Sequence, residues 1–263
     1  MKLTDTHSHL YEPEFDDDRE EALARAAEAG VQRLLLPAID SASHERLFDL
    51  CRRHPQQCVP MMGLHPTSVN DNPRWREELA LTEHYLASPP EGIARFCAVG
   101  EIGLDLYWSR DYRQEQYEAF RRQIDLSLAY GLPIAVHTRD AWPETAELMR
   151  TYRGRGVRGV FHAFSDTAET YRELKNYGDF AFGIGGVVTF RKSKLADVVR
   201  EMDLCDIVLE TDCPYLTPVP HRGERNESAY VRFVCEKVAE LKGLTPEEVA
   251  TATTANAERI FGK

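Results

Sequence analysis

The chain has 263 residues, of which 43% are hydrophobic, so it is long enough for one large domain with a substantial core. Its formal net charge of −11 at pH 7 argues against broad electrostatic attraction to nucleic acid or to an anionic membrane. Its six cysteines include no C-x-x-C pair, which argues against a finger-type structural zinc site and predicts reduced, mostly buried thiols.

The first strand-like segment, LTDTHSHL at residues 3–10, carries two histidines one residue apart. Side chains alternate between the two faces of a strand, so His7 and His9 would share a face while Thr6 and Ser8 point the other way. Histidines this near a terminus are more often simply solvated than metal ligands, and the rest of the chain has to decide. The same opening segment lacks the features of a signal peptide, and no apolar run approaches a membrane span of about 20 residues. We therefore expect a cytoplasmic protein.

Seven further apolar segments of strand length follow, separated by amphipathic helical segments such as 16–30, 113–131 and 167–178, which end on glycine. The seven lie at 34–39, 58–64, 96–103, 132–138, 157–164, 179–186 and 206–212. Eight βα units in about 250 residues predict an α/β fold, a single-domain (β/α)8 TIM barrel over residues 1–263. A doubly wound sheet is the alternative, but it usually has a glycine-rich loop after its first strand, and THSHLYEPEF has no glycine. The tail, 228–263, predicts the last helix and one or two short helices closing the barrel.

Ionisable residues stand where the predicted strands end, which is where TIM barrels carry their chemistry. Taken singly, each is better explained as a satisfied core residue or a helix cap, but together they would bury many ionisable groups at one barrel mouth without a partner. A bound cation would supply that partner. The residues are His7, His9, His65, Glu101, His137, His162 and Asp212.

Four of these imidazoles and the two carboxylates exceed the three protein ligands typical of one catalytic zinc, so two metal ions are favoured over one. Two ions about 3.5 to 4 Å apart need a bridging group, and Glu101 on the middle strand can give one oxygen to each. By contrast, His44, His54 and His84 fall among charged neighbours in helical segments and are expected to be solvated. The sequence leaves His221 undecided.

The sequence resembles the TatD-type metal-dependent deoxyribonucleases, a family within the metal-dependent hydrolase barrels. The matching stretches run in order along nearly the whole chain: DTHSHL, GLHP, VGEIGLD, QYEAFRRQIDLSLAYGLPIAVHTRDA, FHAFSD, LETDCPYLTP, RGERNESAYV and TTANAERIFG. The departures are Leu106, Asp166 and Ser228, where the family often has an aromatic residue, glycine and proline respectively. They affect loop shape, while every matched ligand position is kept.

The resemblance implies that His7, His9 and Asp212 hold one ion, that His137 and His162 hold the other, and that Glu101 bridges them. Such ions would activate water and polarise a phosphoryl oxygen, with Asp212 orienting and deprotonating the water. For His65 two roles stand equally open, a turn residue or a contact to the scissile phosphate or leaving group. Glu210 would orient a ligand histidine or form a buried ion pair.

Basic loop residues could grip phosphates in this acidic protein, although charged loop residues are more often merely solvated. Arg139 and Arg225 lie in the best-matched motifs and are the strongest candidates for substrate contacts. The others are Arg191, Lys192, Lys194 and Arg222, with Tyr107, Trp108 and Tyr215 as aromatic residues that could stack on bases.

The leading functional hypothesis is a deoxyribonuclease that hydrolyses DNA from single-stranded ends with two divalent ions, catalysed by Glu101 and Asp212. One alternative keeps the metal barrel and gives it a small ester, amide or lactone, or the ester bond of a D-aminoacyl-tRNA. Another is a metal-containing binding or scaffold protein that has lost catalysis, which the intact ligand set disfavours. We expect no membrane association, no obligate protein partner and a monomer. The ligand types suit zinc, manganese, iron, nickel or magnesium.

Overall fold

The computed structural model describes residues 1–262 and contains eight strands in which each is parallel to the next. The strands are β1 Leu3–Asp5, β2 Val31–Leu36, β3 Cys58–Pro60, β4 Val99–Asp105, β5 Ile134–Arg139, β6 Arg158–Phe161, β7 Asp179–Ile184 and β8 Ile207–Leu209. The α-helices are α1 Arg19–Glu28, α2 Ser41–Arg53, α3 Trp75–Ala87, α4 Arg113–Tyr130, α5 Trp142–Arg150, α6 Ala168–Leu174, α7 Leu195–Glu201, α8 Val231–Lys242 and α9 Pro246–Phe261.

The eight strands follow chain order around a barrel. Strands β1 to β3 form one hydrogen-bonded sheet and β4 to β8 another. Two isolated parallel bridges join these sheets, Met62 with Val99 at one seam and Ser8 with Cys213 at the other. The predicted (β/α)8 TIM barrel is therefore confirmed.

Helix α9 covers one end of the barrel. Its Ala257, Ile260 and Phe261 pack on buried side chains of the strands and of the residues next to them, namely Leu35, Met61, Ala98, Ala135, Val160, Ala181 and Val208. The helix begins in a capping box, in which Thr245 accepts from the backbone of Glu248 and the Glu248 carboxylate accepts from the backbone of Thr245. The opposite end of the barrel is left to the loops that follow the strands, and these loops position the candidate site.

The observed strands are shorter than the predicted ones at their polar ends. Strand β1 stops at Asp5 and β8 at Leu209, whereas strand-like sequence runs to residues 10 and 212. The chain turns here: Asp212 has φ of +57°, in the left-handed region that a strand cannot continue through. The residues beyond the last ladder pairs are thereby freed to point into the mouth of the barrel.

Helix ends follow the sequence closely where glycine marks them. Helix α4 stops at Tyr130, and the next residue, Gly131, takes the left-handed conformation with φ of +65° that terminates a helix. The tail forms α8, the expected last helix, and α9, which at 16 residues is longer than the short closing helices expected. Within the described residues, no helix combines the length and apolarity needed to cross a membrane. All six cysteines are free thiols, and only Cys205 is exposed.

One histidine expected to be solvated is buried. His44 is only 4% exposed, and its ring packs against Phe48 and Tyr85 where α2 meets α3. Burial lowers its pKa, and no hydrogen-bond partner reaches its Nε2. The charged neighbours in sequence lie on the other face of α2, which periodicity could have shown. His84 is exposed, as expected, and the half-buried His54 lies 2.9 Å from a carboxylate oxygen of Glu20.

Candidate metal centre

The ionisable side chains predicted from strand ends do meet at the mouth of the barrel. Glu101 lies on β4 and His137 on β5, while His7, His162 and Asp212 come within three residues after β1, β6 and β8. His9 and His65 lie a little further along their loops. Their ring and carboxylate atoms stand 2.9 to 3.9 Å from one another.

Glu101 occupies the centre of this group, and its side chain is only 3% exposed. Its Oε2 lies 3.1 Å from Nε2 of His7 and 3.6 Å from Nε2 of His9. Its Oε1 faces a second set of ring nitrogens: Nδ1 of His137 at 2.9 Å, Nε2 of His65 at 3.4 Å and Nε2 of His162 at 3.7 Å. Each oxygen thus serves a different group of imidazoles.

Asp212 stands over the same space from the end of β8. Its Oδ1 lies 3.5 Å from Nε2 of His9 and 3.6 Å from Nε2 of His162. The left-handed backbone at Asp212 is tolerated by aspartate better than by most residues, and it directs this carboxylate back toward the barrel axis. Asp212 therefore faces both histidine groups.

Neighbouring side chains orient three of the imidazoles. The Tyr11 hydroxyl donates to the Pro37 carbonyl at 2.6 Å and so accepts from Nδ1 of His9 at 3.0 Å, which leaves the lone pair of His9 on Nε2. Asp105 accepts from Nε2 of His137 at 3.0 Å, which leaves the lone pair of His137 on Nδ1. In the neutral form of both rings the lone pair faces the centre, the orientation a metal ligand needs.

Glu210 plays the corresponding part for His162. Its fully buried carboxylate has Oε1 2.9 Å from Nδ1 of His162, off the line of the N–H bond, and accepts from the backbone of Ala163 at 2.6 Å. Nε2 of His162 is left facing Glu101 and Asp212. The arrangement joins the two alternatives posed by the sequence, because Glu210 is both a buried ion-pair partner and a carboxylate that orients a histidine of the site.

His65 differs from the other imidazoles. The backbone N–H of Thr67 donates to its Nδ1 at 3.2 Å, so the neutral ring carries its proton on Nε2. That N–H points at the site, toward which His9 and His137 direct lone pairs when their rings are neutral. Burial lowers the pKa of His65, which favours this neutral form.

The pKa values of the buried groups show that the cluster favours additional positive charge. Burial opposes protonation of His137 and His162, but adjacent carboxylates outweigh it and raise the pKa of His137 to about 9 and of His162 to about 10. Burial would also raise the pKa of Glu101, but His7, His65 and His137 hold it well below its usual range. Protons thus balance the buried negative charge, and a cation would replace them and release protons on binding.

The donor set fits divalent metal ions. Among the described residues, three overlapping trios of ligand atoms lie within 4.8 Å of one another: His7 with His9 and Asp212, His7 with Glu101 and His162, and His65 with Glu101 and His137. Imidazole nitrogens mixed with carboxylate oxygens suit zinc and several other transition metals. The buried carboxylates further favour a positive ion at this place.

The two arginines predicted to contact substrate have different surroundings. Arg139 is exposed at the end of β5, and its guanidinium lies 3.8 Å from the ring centre of Tyr107. The guanidinium of Arg225 is held by the Asp18 carboxylate at 2.6 and 2.7 Å and packs over Phe15. Arg225 therefore ties the loop after β8 to the loop after β1, and its contact with substrate stays a prediction.

The other loop residues singled out in the sequence either pack within their own loops or are exposed. His221, undecided from sequence, stacks on Tyr230 with ring centres 4.3 Å apart and approaches Glu224 at 2.9 Å, so it holds its own loop together. Arg222 lies over the ring of Phe190 at 3.8 Å. The basic residues of the loop after β7 are exposed: Arg191, Lys192 and Lys194.

Sequence reasoning identified Glu210 but missed the other residues that orient the histidines. Asp105 closes the quoted motif VGEIGLD four residues after Glu101, so the motif contained the signal. Tyr11 follows His9 by two residues but reads as an ordinary core aromatic. Asp5 is fully buried, accepts from Thr211 and from the backbone of His7, and burial raises its pKa to about 7. Asp5 is the first residue of the motif DTHSHL, which contained the signal for its role.

Gly183 makes room for Glu210, which gives a first prediction. A Cβ on Gly183 would lie 2.0 Å from Oε2 of Glu210, and the buried carboxylate would have to leave His162. We expect Gly183→Ala to lower metal affinity and hydrolysis by about 10- to 100-fold, the usual effect of losing a residue that orients a metal ligand. Metal content after dialysis and steady-state hydrolysis measure this.

A matched control is available two residues further on. A Cβ on Gly185 would find its nearest neighbour, the Glu210 carbonyl oxygen, at 3.6 Å, an ordinary van der Waals distance. Gly185→Ala should therefore keep the metal and the activity. Equal metal retention by both variants would contradict the role given to Glu210.

Known proteins similar to this chain are metal-dependent hydrolases and nucleases of one family. The family model for TatD-related DNases matches residues 4–262. An uncharacterized metal-dependent hydrolase, YabD of Bacillus subtilis, is 37% identical over 98% of each chain. A 3'-5' ssDNA/RNA exonuclease, TatD of Citrobacter rodentium, is 30% identical over 99% of this chain and 98% of its own. The crystal structure of YJJV, a TatD homologue from Escherichia coli K12, superimposes with a TM-score of 0.88 at 29% identity, covering 99% of this chain and 98% of that one.

Proposed function

Because this chain belongs to the TatD-related DNase family and is a metal-dependent hydrolase, we propose that it hydrolyses phosphodiester bonds of DNA from single-stranded ends. The proposal includes two divalent ions around Glu101. The observation that carries it is the Glu101 carboxylate, whose two oxygens face separate histidine groups beside Asp212. That arrangement matches a bridging ligand of a two-ion site.

The proposed ligands fall into two sets, one for each ion. His7, His9 and Asp212 would hold one ion, and His137 and His162 the other, with Glu101 shared. Ions bound there supply Lewis-acid catalysis, acidifying water and polarising a phosphoryl oxygen.

Asp212 is the proposed proton acceptor. Burial would raise its pKa, but His162, His9 and His7 outweigh that effect and lower it, so the group is a carboxylate at neutral pH. It can take the proton of the attacking water as that water's oxygen bonds to phosphorus. The ester P–O bond then breaks, and the departing sugar oxygen takes up a proton from solvent and leaves as a hydroxyl.

His65 is the proposed hydrogen-bond donor to the substrate. Its Nε2–H faces the site from the side of Glu101 Oε1, and phosphoryl oxygens are acceptors only. This assignment favours the substrate-contact role for His65 over that of a simple turn residue.

The cellular setting is part of the proposal. Six free thiols support a cytoplasmic location. The single domain over residues 1–263 and the monomeric state stay predictions. The substrate would be an unpaired DNA terminus, because a barrel mouth accommodates a strand end more readily than an intact duplex.

The test purifies the protein without chelator, measures its metal content, and assays it with Mg²⁺ or Mn²⁺ on single-stranded DNA labelled at either end. We expect stepwise shortening from one end. Bound metal with hydrolysis of a simple ester or a D-aminoacyl-tRNA, and none of DNA, would reject the nuclease proposal in favour of that substrate. Bound metal with no hydrolysis of either would indicate a binding protein.

A further inference from the structure

Exposed apolar side chains concentrate at the barrel mouth. Within the described part of the chain, five of the eight exposed large hydrophobic residues lie in the loops after β4 and β8. These five are Tyr107, Trp108, Tyr215, Leu216 and Val219, while Met1, Tyr130 and Leu244 lie elsewhere. The two loops follow strands that are not neighbours in the barrel, so each carries its own exposed apolar surface. Such a surface at the rim of an active site indicates a binding surface.

The loop after β4 builds the most distinct part of this surface. Trp108 is 68% exposed and Tyr107 is 52% exposed, and their rings meet edge to face with centres 4.9 Å apart. The Arg139 guanidinium lies 3.8 Å from the Tyr107 ring centre and 5.4 Å from that of Trp108. We call Tyr107, Trp108 and Arg139 the aromatic platform.

Arg139 is a cation without a carboxylate partner in the described structure, in a protein of net charge −11. Most other arginines of the described chain form ion pairs with acidic side chains, as Arg122 does with Glu83. Arg139 instead rests on ring faces, where its charge is held in place by cation–π attraction and stays available to an anion.

Asp105 links the platform to the metal centre by hydrogen bonds. One oxygen of Asp105 accepts from the backbone of Tyr107 at 3.1 Å, and the other accepts from the ring of His137 at 3.0 Å. Arg139 follows His137 by two residues on β5. A ligand on the platform would therefore lie on the side of the centre where His137 stands.

We propose that the aromatic platform binds an unpaired nucleobase of the nucleotide adjoining the scissile phosphate, with Arg139 close to the neighbouring phosphate. Aromatic rings stack on any base and arginine binds phosphate, so the platform tolerates sequence but needs a base with a free face. In a duplex both faces of an internal base are covered. The platform rests on the proposed nuclease function and gives it residues that select single strands.

Tryptophan fluorescence tests binding apart from catalysis. Trp75 and Trp142 are 4% and 8% exposed, so Trp108 is the accessible tryptophan. The metal-loaded protein is titrated with phosphorothioate-linked oligothymidylate, which resists hydrolysis, and with its abasic counterpart. We expect quenching by the base-containing strand and about 5- to 100-fold weaker binding of the abasic strand.

Hydrolysis tests the same contact in turnover. The ratio of kcat/KM on a normal strand to that on a strand lacking the base beside the cleaved bond should fall toward one in Trp108→Ala. Tyr130→Ala, which removes another exposed aromatic side chain, 41% exposed at the C-terminal end of α4, should keep the wild-type ratio.

Each failure has its own signature. DNA hydrolysis with an unchanged ratio in Trp108→Ala would overturn the platform and leave the nuclease standing. Base-dependent binding without DNA hydrolysis would reject the nuclease and keep the platform. Duplex binding as tight as single-strand binding, or equal binding of the abasic strand, would overturn the platform in either case.

Discussion

Replacing Glu101 with glutamine is expected to strip the bound metal and to lower hydrolysis more than the roughly 100-fold limit typical of residues that only orient a ligand. Glu101 faces both histidine groups with one oxygen each. The amide of glutamine keeps a single oxygen and turns an NH2 group toward the other histidines. It also removes a buried negative charge that offsets the charge of two cations.

The losses of metal and activity in Glu101→Gln should exceed those caused by the same change at a second buried carboxylate. Glu210 lies against His162 alone among the histidines of the site, so Glu210→Gln should lose less metal and only about 10- to 100-fold in activity. Glu118→Gln, an exposed change on α4 beside Arg76, controls for preparation. Metal content by elemental analysis and steady-state hydrolysis are measured on all three. Two ions per chain in Glu101→Gln would refute the bridging role.

The site could be predicted from the sequence because the barrel brings residues that are distant in sequence close together. His7 and Glu101 are 94 residues apart in sequence and 3.1 Å apart in space. Parallel strands that all end at one rim make any ionisable strand-end residue a candidate. The family motifs supplied the division of the ligands, and the structure then showed that each Glu101 oxygen serves a different group.

What escaped sequence reasoning depends on side-chain direction and on partners distant in sequence. His44 belongs to a charged helical segment, but the helix turns it inward against Tyr85. Arg225 lies in a matched motif, yet Asp18, 207 residues earlier, neutralises it. The Arg225 contact does not follow from spacing, because it depends on how two loops pack. The burial of His44 could have been inferred from helical periodicity, since His44 shares a face of α2 with the buried Leu47 and Cys51.

Exchanging Asp212 for asparagine should separate proton transfer from metal binding. Asparagine also tolerates a left-handed backbone, so it fits the φ of +57° and keeps a carbonyl oxygen where the carboxylate stood. It cannot accept a proton from water. We expect hydrolysis to fall by about 10²- to 10⁴-fold, the usual worth of a positioned general base, with most of the metal retained by the five other ligands.

Asp140 provides the matched control, since it too is an aspartate with a left-handed backbone, at φ of +51°, directly after β5. Its side chain is exposed and belongs to none of the three ligand groups. Asp140→Asn should therefore behave as wild type in both metal content and turnover. Loss of metal in proportion to activity in Asp212→Asn would make Asp212 a ligand only. Full activity with full metal would remove it from the mechanism and leave the water's proton to another group.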